Sequence, residues 1–437
     1  MNTPLYKKIL LRITRYLAER ILRKYQPQQV VITGSVGKTS TKQALLSVIG
    51  DVSSVYSPES SVRSEFSLHC TIIGVPHPGK RLGALLRVLW RGCVLVCTQK
   101  QDTYPQVLVF EMGIKHPGDT ARIAQMLEPD VVVVTPFGTP PTHIEFFDTV
   151  QALIAEKIAI IDQMKRSGIV VLPQDDEYLE DIKRKIKVPA VSYGFDPQST
   201  LVVSHPEIAY ADGVPIGMRF RANFEGKSLP SILYGALGVT HVLANAAALA
   251  TAEVLDISLI QALTSLESND APSGRMKLIH GVYDTMIIDD TYNASPVAMS
   301  AALKTLAHLE TRGRKIAILG DMLDLGRHAE QAHRTVGEEV VESADVVIAV
   351  GVRAQFIAEN ARKKGMKRRS SIMTFSTSTQ AGAYAKTILK EGDIILVKGS
   401  QDMRMERVVE QIMANPKDKE TLLVRQNDFW LHHNHID

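Results

Sequence analysis

Short apolar runs rich in β-branched residues alternate with longer stretches of helical period along most of this chain. Val30–Thr33, Val107–Phe110, Val131–Thr135 and Ile169–Leu172 have strand length and are apolar on both faces. Runs of that kind, separated by helical segments, predict a mainly parallel sheet covered by helices. The segment after Val30–Thr33, through about Ile49, and Val150–Met164 read as helices. From Val188 to Tyr234 the texture changes to Gly, Pro and short alternating runs. That predicts antiparallel strands inserted in or flanking the first sheet. The Ala-rich Val242–Val254 returns to helix, and a break follows at Pro272–Gly274. Beyond it a second α/β series is predicted, with strands at Met286–Asp290, Lys315–Leu319, Val346–Val350, Ile372–Phe375 and Ile394–Lys398.

At the N-terminus, Tyr6, Leu10, Ile13, Leu17 and Ile21 recur at spacings of three and four, which predicts an amphipathic helix. Residues 1–25 hold seven Lys and Arg against Glu19 alone, a charge of +6. Two readings follow. The helix lies on a membrane surface facing anionic lipid, or it packs on the protein with its basic face in water. The second is preferred, because surface helices commonly carry this pattern. The divisions expected are therefore 1–28, the basic helix; 29–273, a first α/β domain; and 274–437, a second.

Composition narrows the field. Of 437 residues, 45% are hydrophobic and 22% charged, which excludes a disordered chain. A formal charge of +3 on that length argues against a dedicated nucleic-acid binder. Cys70, Cys93 and Cys97 are too few and too odd in number for a disulfide framework, so a cytoplasmic location is expected. No signal-peptide pattern is read at the basic N-terminus. The apolar segment closest to membrane-spanning length, Leu82–Cys97, contains Arg87 and Arg91. The expected partners are small molecules, with peripheral membrane contact through residues 1–25 as the alternative, and the expected state is a monomer. The closing "FWLHHNHID", with three His, reads as a frayed terminus rather than a metal site.

The strongest local chemistry is "VVITGSVGKTSTKQAL". A strand enters Gly34-Ser35-Val36-Gly37-Lys38-Thr39-Ser40 and leaves as a helix. Glycines let the backbone curl so that N–H groups face an anion, and the helix N-terminus adds positive potential. Lys38 supplies charge for β/γ phosphates, and the Thr39 hydroxyl suits Mg²⁺. This predicts ATP-type nucleotide binding on a P-loop-type central domain, followed by a Rossmann-like α/β domain. Glu111 closes a strand where a Mg²⁺ ligand is needed. His143 and Glu145 follow another strand end, where a lone His is more often structural than a ligand. Lys157 lies among Ile154, Ile158 and Ile161, where snorkelling is the default. Asp289 and Asp290 end a strand of the second domain, suiting ribose, a cation or a helix cap, and Lys398-Gly399-Ser400 precedes a helix that suits an anion.

Six blocks in order, "TGSVGKTST", "EMGIKHPGD", "PSGRMKLI", "IIDDTYNASPVAMSAAL", "ILGDMLDLG" and "LVKGSQDMRME", make the chain resemble the Mur ligase family from about Gln29 to Ala414. The branch it is most similar to adds D-Ala-D-Ala to a UDP-N-acetylmuramoyl tripeptide in peptidoglycan precursor synthesis. The resemblance implies an ATP- and Mg²⁺-dependent amide ligase working through an acyl phosphate. By it, Lys38 steadies the β/γ phosphates, Thr39 and Glu111 hold one Mg²⁺, and His143 helps hold a second. Lys157 matches a lysine that is often carbamoylated. Arg275 and Asp290 match positions that contact ATP from across the domain cleft, and His241 or Asn245 matches the adenine contact.

The sequence departs from the family in three places. Only about 28 residues precede the phosphate loop, where the family has a UDP-sugar-binding domain. Arg63 and Ser67, in "SPESSVRSEFSLHC", replace Asn and Gly. "GTPPTHIE" carries an extra residue, and Thr240 replaces a His. The first two bear on the acceptor, so two alternatives stand beside the wall ligase. One is a Mur-like ligase with another carboxylate and amine, such as a poly-amino-acid synthetase. The other is a catalytically silent nucleotide-binding scaffold at the membrane.

Overall fold

The valine-rich runs form the middle of a nine-stranded sheet. Its strands are β1 (Gln28–Thr33), β2 (Val55–Tyr56), β3 (Val107–Glu111), β4 (Val131–Val134), β5 (Ile169–Pro173), β6 (Ala190–Gly194), β7 (Leu201–Ala211), β8 (Val214–Phe224) and β9 (Lys227–Tyr234). They lie in the order β2-β3-β1-β4-β5-β6-β7-β8-β9. A second, six-stranded sheet holds β10 (Lys277–Gly281), β11 (Thr285–Asp290), β12 (Lys315–Gly320), β13 (Val346–Val350), β14 (Ile372–Phe375) and β15 (Ile394–Lys398), in the order β10-β11-β15-β12-β13-β14. This is a computed structural model, and it describes residues 5–79, 82–138, 141–268, 271–366, 371–427 and 430. The tail histidines and two residues of "GTPPTHIE", Thr139 and Pro140, lie outside the described residues.

The chain divides into two compact units. The first comprises Met1–Ser204, Arg221–Ser231 and Val242–Asn269; the second comprises His205–Phe220, Ile232–His241 and Asp270–Asp437. The second unit therefore takes parts of β7, β8 and β9, which no linear reading of the chain assigned to it.

In the first sheet, β3 and β4 flank β1, both parallel to it. All five residues of β3 and all four of β4 are buried, which explains their unbroken apolar runs. The expectation of antiparallel strands after Val188 fails at β6. It pairs parallel with β5 and follows the Leu179–Lys183 helix, so strand, helix and strand form a βαβ step. The change to a meander comes one strand later. Asp212-Gly213 and Glu225-Gly226 are two-residue turns in which both residues have positive φ. Such turns match the twist of antiparallel hairpins.

In the second sheet, β10 was not foreseen. It pairs antiparallel with β11 through a turn at Tyr283 and Asp284, with φ of 58° and 56°. Neither is Gly, so the turn lacks the residue that most strongly marks such a turn in sequence.

The N-terminal helix α1 (Leu5–Tyr25) is followed by α2 (Lys38–Gly50), α3 (Glu65–Ile73) and α4 (Leu82–Cys97). Leu17, Ala18, Ile21 and Tyr25 are buried in the first unit's core, where α1 packs on α3 and α4. The apolar positions read as one stripe are split: Tyr6 and Ile13 stay exposed. Among the described residues no helix is long and apolar enough to cross a membrane.

Candidate active site

β1 lies between β3 and β4, so the chain turns to opposite sides where these strands end. In parallel α/β sheets ligands bind at such a reversal, beyond the carboxyl ends of the strands. The loop after β1, the end of β3 and the segment after β4 meet there.

The loop after β1 is shaped by two glycines. Gly34 has φ 120°, and a Cβ there would overlap the Thr135 carbonyl. Gly37, at φ 83°, precedes the first residue of α2. The backbone N–H groups of Ser35 and Val36 donate to the Pro136 carbonyl at 3.2 and 2.8 Å, tying the loop to the segment after β4. Lys38 Nζ donates to the carbonyls of Gly34 and Ser35 at 2.9 and 3.1 Å. It thus sits over the loop whose phosphates it is expected to meet. Ser40 is buried in the first turn of α2.

Thr39 Oγ1 donates to Glu111 Oε1 at 2.9 Å, so two residues 72 positions apart share one place. Lys42 approaches the other carboxylate oxygen, Oε2, at 3.2 Å and donates to the carbonyls of Pro58 and Glu59. Sequence reasoning missed Lys42. Its one available signal was its position one turn beyond Lys38, on the buried face of α2. Among the described residues no cluster of three or more His, Cys, Asp or Glu forms a metal centre. The donor set is instead one hydroxyl and one carboxylate, both hard oxygens. That fits Mg²⁺, which keeps few protein ligands and takes the rest from phosphate and water.

Lys157 does not snorkel. The helix Val150–Ile158, started by the Thr149 cap, buries Leu153, Ile154, Lys157 and Ile158 together. Thr33 Oγ1 donates to the Lys157 carbonyl at 2.6 Å, anchoring that helix against β1. The Lys157 side chain is 2% exposed, donating to Ser35 Oγ at 2.7 Å and the Thr142 carbonyl at 3.3 Å. Burial, helped by the charge of Lys38, lowers its pKa to about 6.

His143 has φ 73°, and its Nδ1 lies 4.0 Å from Glu145. Burial, then the cations Lys157, Lys38, Lys115 and Arg63, lower its pKa to about 4. Arg63, noted in the sequence only as a departure, thus acts on a site residue. Ser67, the other departure, has a local role: it completes a capping box with Ser64 at the start of α3.

The remaining candidates are divided between the two units. In the second unit Arg275 lies over the Tyr292 ring at 4.0 Å. His241 is buried, its Nε2 donating to the Arg275 carbonyl at 2.7 Å. Asp290 pairs with Lys398 at 2.6 Å, and Lys398 also donates to the Asn293 carbonyl. The neighbouring Asp289 is held by Gly274 and Thr291, and burial raises its carboxyl to about 6. Asn245 lies on the helix Val239–Val254, buried in the first unit.

Two family descriptions match the chain. "Mur ligase middle domain" covers residues 91–252, and "Mur ligase, glutamate ligase domain" covers residues 274–401. The chain belongs to the Mur ligase family. It is an ATP-dependent amide ligase, as members of this family are. Mur ligase relatives align over most of its length. The UDP-N-acetylmuramoyl-tripeptide–D-alanyl-D-alanine ligase of Bacillus subtilis is 25% identical over 92% of this chain and 79% of its own length. That of Synechocystis is 27% identical over 88% of this chain and 74% of its own. The crystal structure of the MurF ligase from Thermotoga maritima in complex with ADP has the same fold. Its TM-score is 0.70 at 24% identity, covering 92% of this chain and 83% of that one.

Proposed function

We propose that this Mur ligase joins the terminal carboxylate of a UDP-N-acetylmuramoyl tripeptide to the amine of D-Ala-D-Ala, at the expense of ATP. The observation that carries the reading is the convergence of Lys38, Thr39, Glu111 and Lys157 on one glycine-shaped loop. The Bacillus subtilis and Synechocystis relatives carry that substrate pair in their names.

The acceptor carboxylate attacks the γ-phosphorus, forming a C–O–P linkage and breaking the bond to ADP. The amine then attacks the acyl carbon; the C–N bond forms, phosphate leaves, and the amine loses a proton. Phosphoryl transfer needs positioning and charge neutralisation more than covalent help. Lys38 neutralises the transferring group, and the N-terminus of α2 faces its oxygens. Thr39 and Glu111 would hold Mg²⁺, with His143 toward a second ion, and the metal would supply further neutralisation of phosphate charge. His143 suits a ligand role because its lowered pKa keeps it neutral. The neutral amine of Lys157 is the form that adds CO₂, releasing a proton and giving an anionic carbamate beside Ser35. Arg275 and Asp290 are proposed to meet the nucleotide, and His241 and Asn245 its adenine.

Arg63 favours a second reading, in which the carboxylate and amine differ, as in a poly-amino-acid synthetase. It places a cation near His143 where the family has Asn.

The test is phosphate release from ATP by the purified protein, with UDP-muramoyl tripeptide and D-Ala-D-Ala together and with each omitted. Release that requires both, with a product of the joined mass, supports the wall ligase. No stimulation of release by the pair, in a protein that binds Mg-ATP, rejects it and directs the search to amino acids and poly-amino-acid primers.

A further inference from the structure

We propose that α1 and α4 form a docking face for the surface of an anionic lipid bilayer. The proposal is independent of the substrate reading.

Three observations carry it. The first is a second apolar stripe on α1. With Leu17, Ile21 and Tyr25 buried, Tyr6, Ile9, Ile13 and Tyr16 still recur at spacings of three and four, and all are exposed. Tyr6 is 65% exposed. A helix that only packs on its domain has no use for a second apolar face.

The second is that α4, packed beside α1, exposes apolar side chains of its own. Leu17 packs so closely on Gly92 that a Cβ there would meet its Cδ1 at 2.8 Å. Lys24 Nζ donates to the Leu95 carbonyl at 2.7 Å. The two helices therefore lie side by side, running the same way. On its outer side α4 exposes Leu86 and Trp90, the latter 66% exposed, beside an open groove of about 450 Å³ that also touches Val75 and Arg87.

The third is the charge. The two helices contain nine Lys and Arg and one acid, Glu19, which pairs with Arg15 at 3.0 Å. They carry +8, whereas the whole chain is only +3, leaving −5 for everything else. The exposed Lys8, Arg12, Arg20 and Arg23 flank the apolar stripe of α1. A second copy of the chain would bring like charge against like. An anionic bilayer offers both the negative surface and an apolar layer a few ångströms deep, into which Tyr and Trp insert at the headgroup level. The face lies on the surface and does not cross: α4 keeps Arg87 and Arg91, and no described helix can span.

The experiment is co-sedimentation of the full-length protein with vesicles of phosphatidylcholine alone or with about one-third phosphatidylglycerol, at low and high salt. Anionic vesicles should bind at least about tenfold more tightly, with part of the gain lost in high salt. Ile9→Glu and Ile13→Glu replace exposed side chains, so circular dichroism should show native folding while vesicle binding falls about tenfold. In a Trp430→Phe background, Trp90 emission should shift to shorter wavelength on anionic vesicles. Equal binding to both vesicle types, undiminished binding by Ile13→Glu and Trp90→Glu, or an unshifted Trp90 would each overturn the proposal. So would a stable dimer, abolished by Ile13→Glu, which would assign the face to a second copy.

Discussion

Lys157 Nζ and Ser35 Oγ lie 2.7 Å apart, joining the helix Val150–Ile158 to the phosphate loop. Lys38 reaches over the same loop from its other end. Two lysines on one loop make a field that favours an anion, and the buried one yields, its pKa falling to about 6.

That shift makes stability depend on pH. Between about 6 and the ordinary 10.5, an unfolded Lys157 holds a proton that the folded one has lost. Stability therefore rises with pH through this window, by up to about 1.4 kcal/mol per pH unit from this group. The penalty is complete below the lower value. Lys157→Met should flatten the slope seen by urea unfolding at several pH values, and should raise the His143 pKa in an NMR titration. Equal slopes in both proteins would refute the lowered pKa.

Lys38→Ala should reduce ATP turnover at least about 100-fold, since the backbone cradle cannot by itself neutralise the transferring phosphoryl group. Single-turnover ATP cleavage measures this. Turnover at the wild-type rate would remove the loop from the active site.

Lys42 and Glu111 are both buried, and each is the other's charge partner. Lys42→Met removes a buried charge partner of Glu111 and should cost about 3–5 kcal/mol in urea unfolding. Added Mg²⁺ should restore part of the loss by supplying positive charge at Thr39 and Glu111. A loss under about 1 kcal/mol would mean that Glu111 does not depend on Lys42.

Gly34→Ala forces a Cβ into the Thr135 carbonyl at φ 120°. The loop must move, so nucleotide affinity measured by calorimetry should fall at least about tenfold, while the change in stability stays near 1–3 kcal/mol. Unchanged affinity would show that the loop shape is not needed for the phosphates.

Much of the site was legible because its strongest part is local. Strand, glycine turn and helix N-terminus are contiguous from Val30 to Ile49, and the backbone needs of an anion cradle fall on named glycines. Glu111 was legible as a strand end, because a fully buried parallel strand places its last residue at the sheet's ligand edge. Lys157 was found through family resemblance, since its neighbours by themselves suggest an ordinary amphipathic lysine.

The sequence by itself determined the α/β character, the two series of strands, the phosphate loop with Lys38 and Thr39, and the family, because these rest on short-range periodicity and contiguous motifs. Tertiary structure decided the rest. The pairing of Lys42 with Glu111 and the contact of Lys157 with Ser35 join residues 69 and 122 positions apart, and the depth of burial behind the Lys157 pKa belongs to the whole core. The antiparallel edge strand β10 depended on a turn without glycine. The two faces of α1 could be told apart only once α3 and α4 had covered one of them, because periodicity counts apolar positions but does not say which of them find a partner.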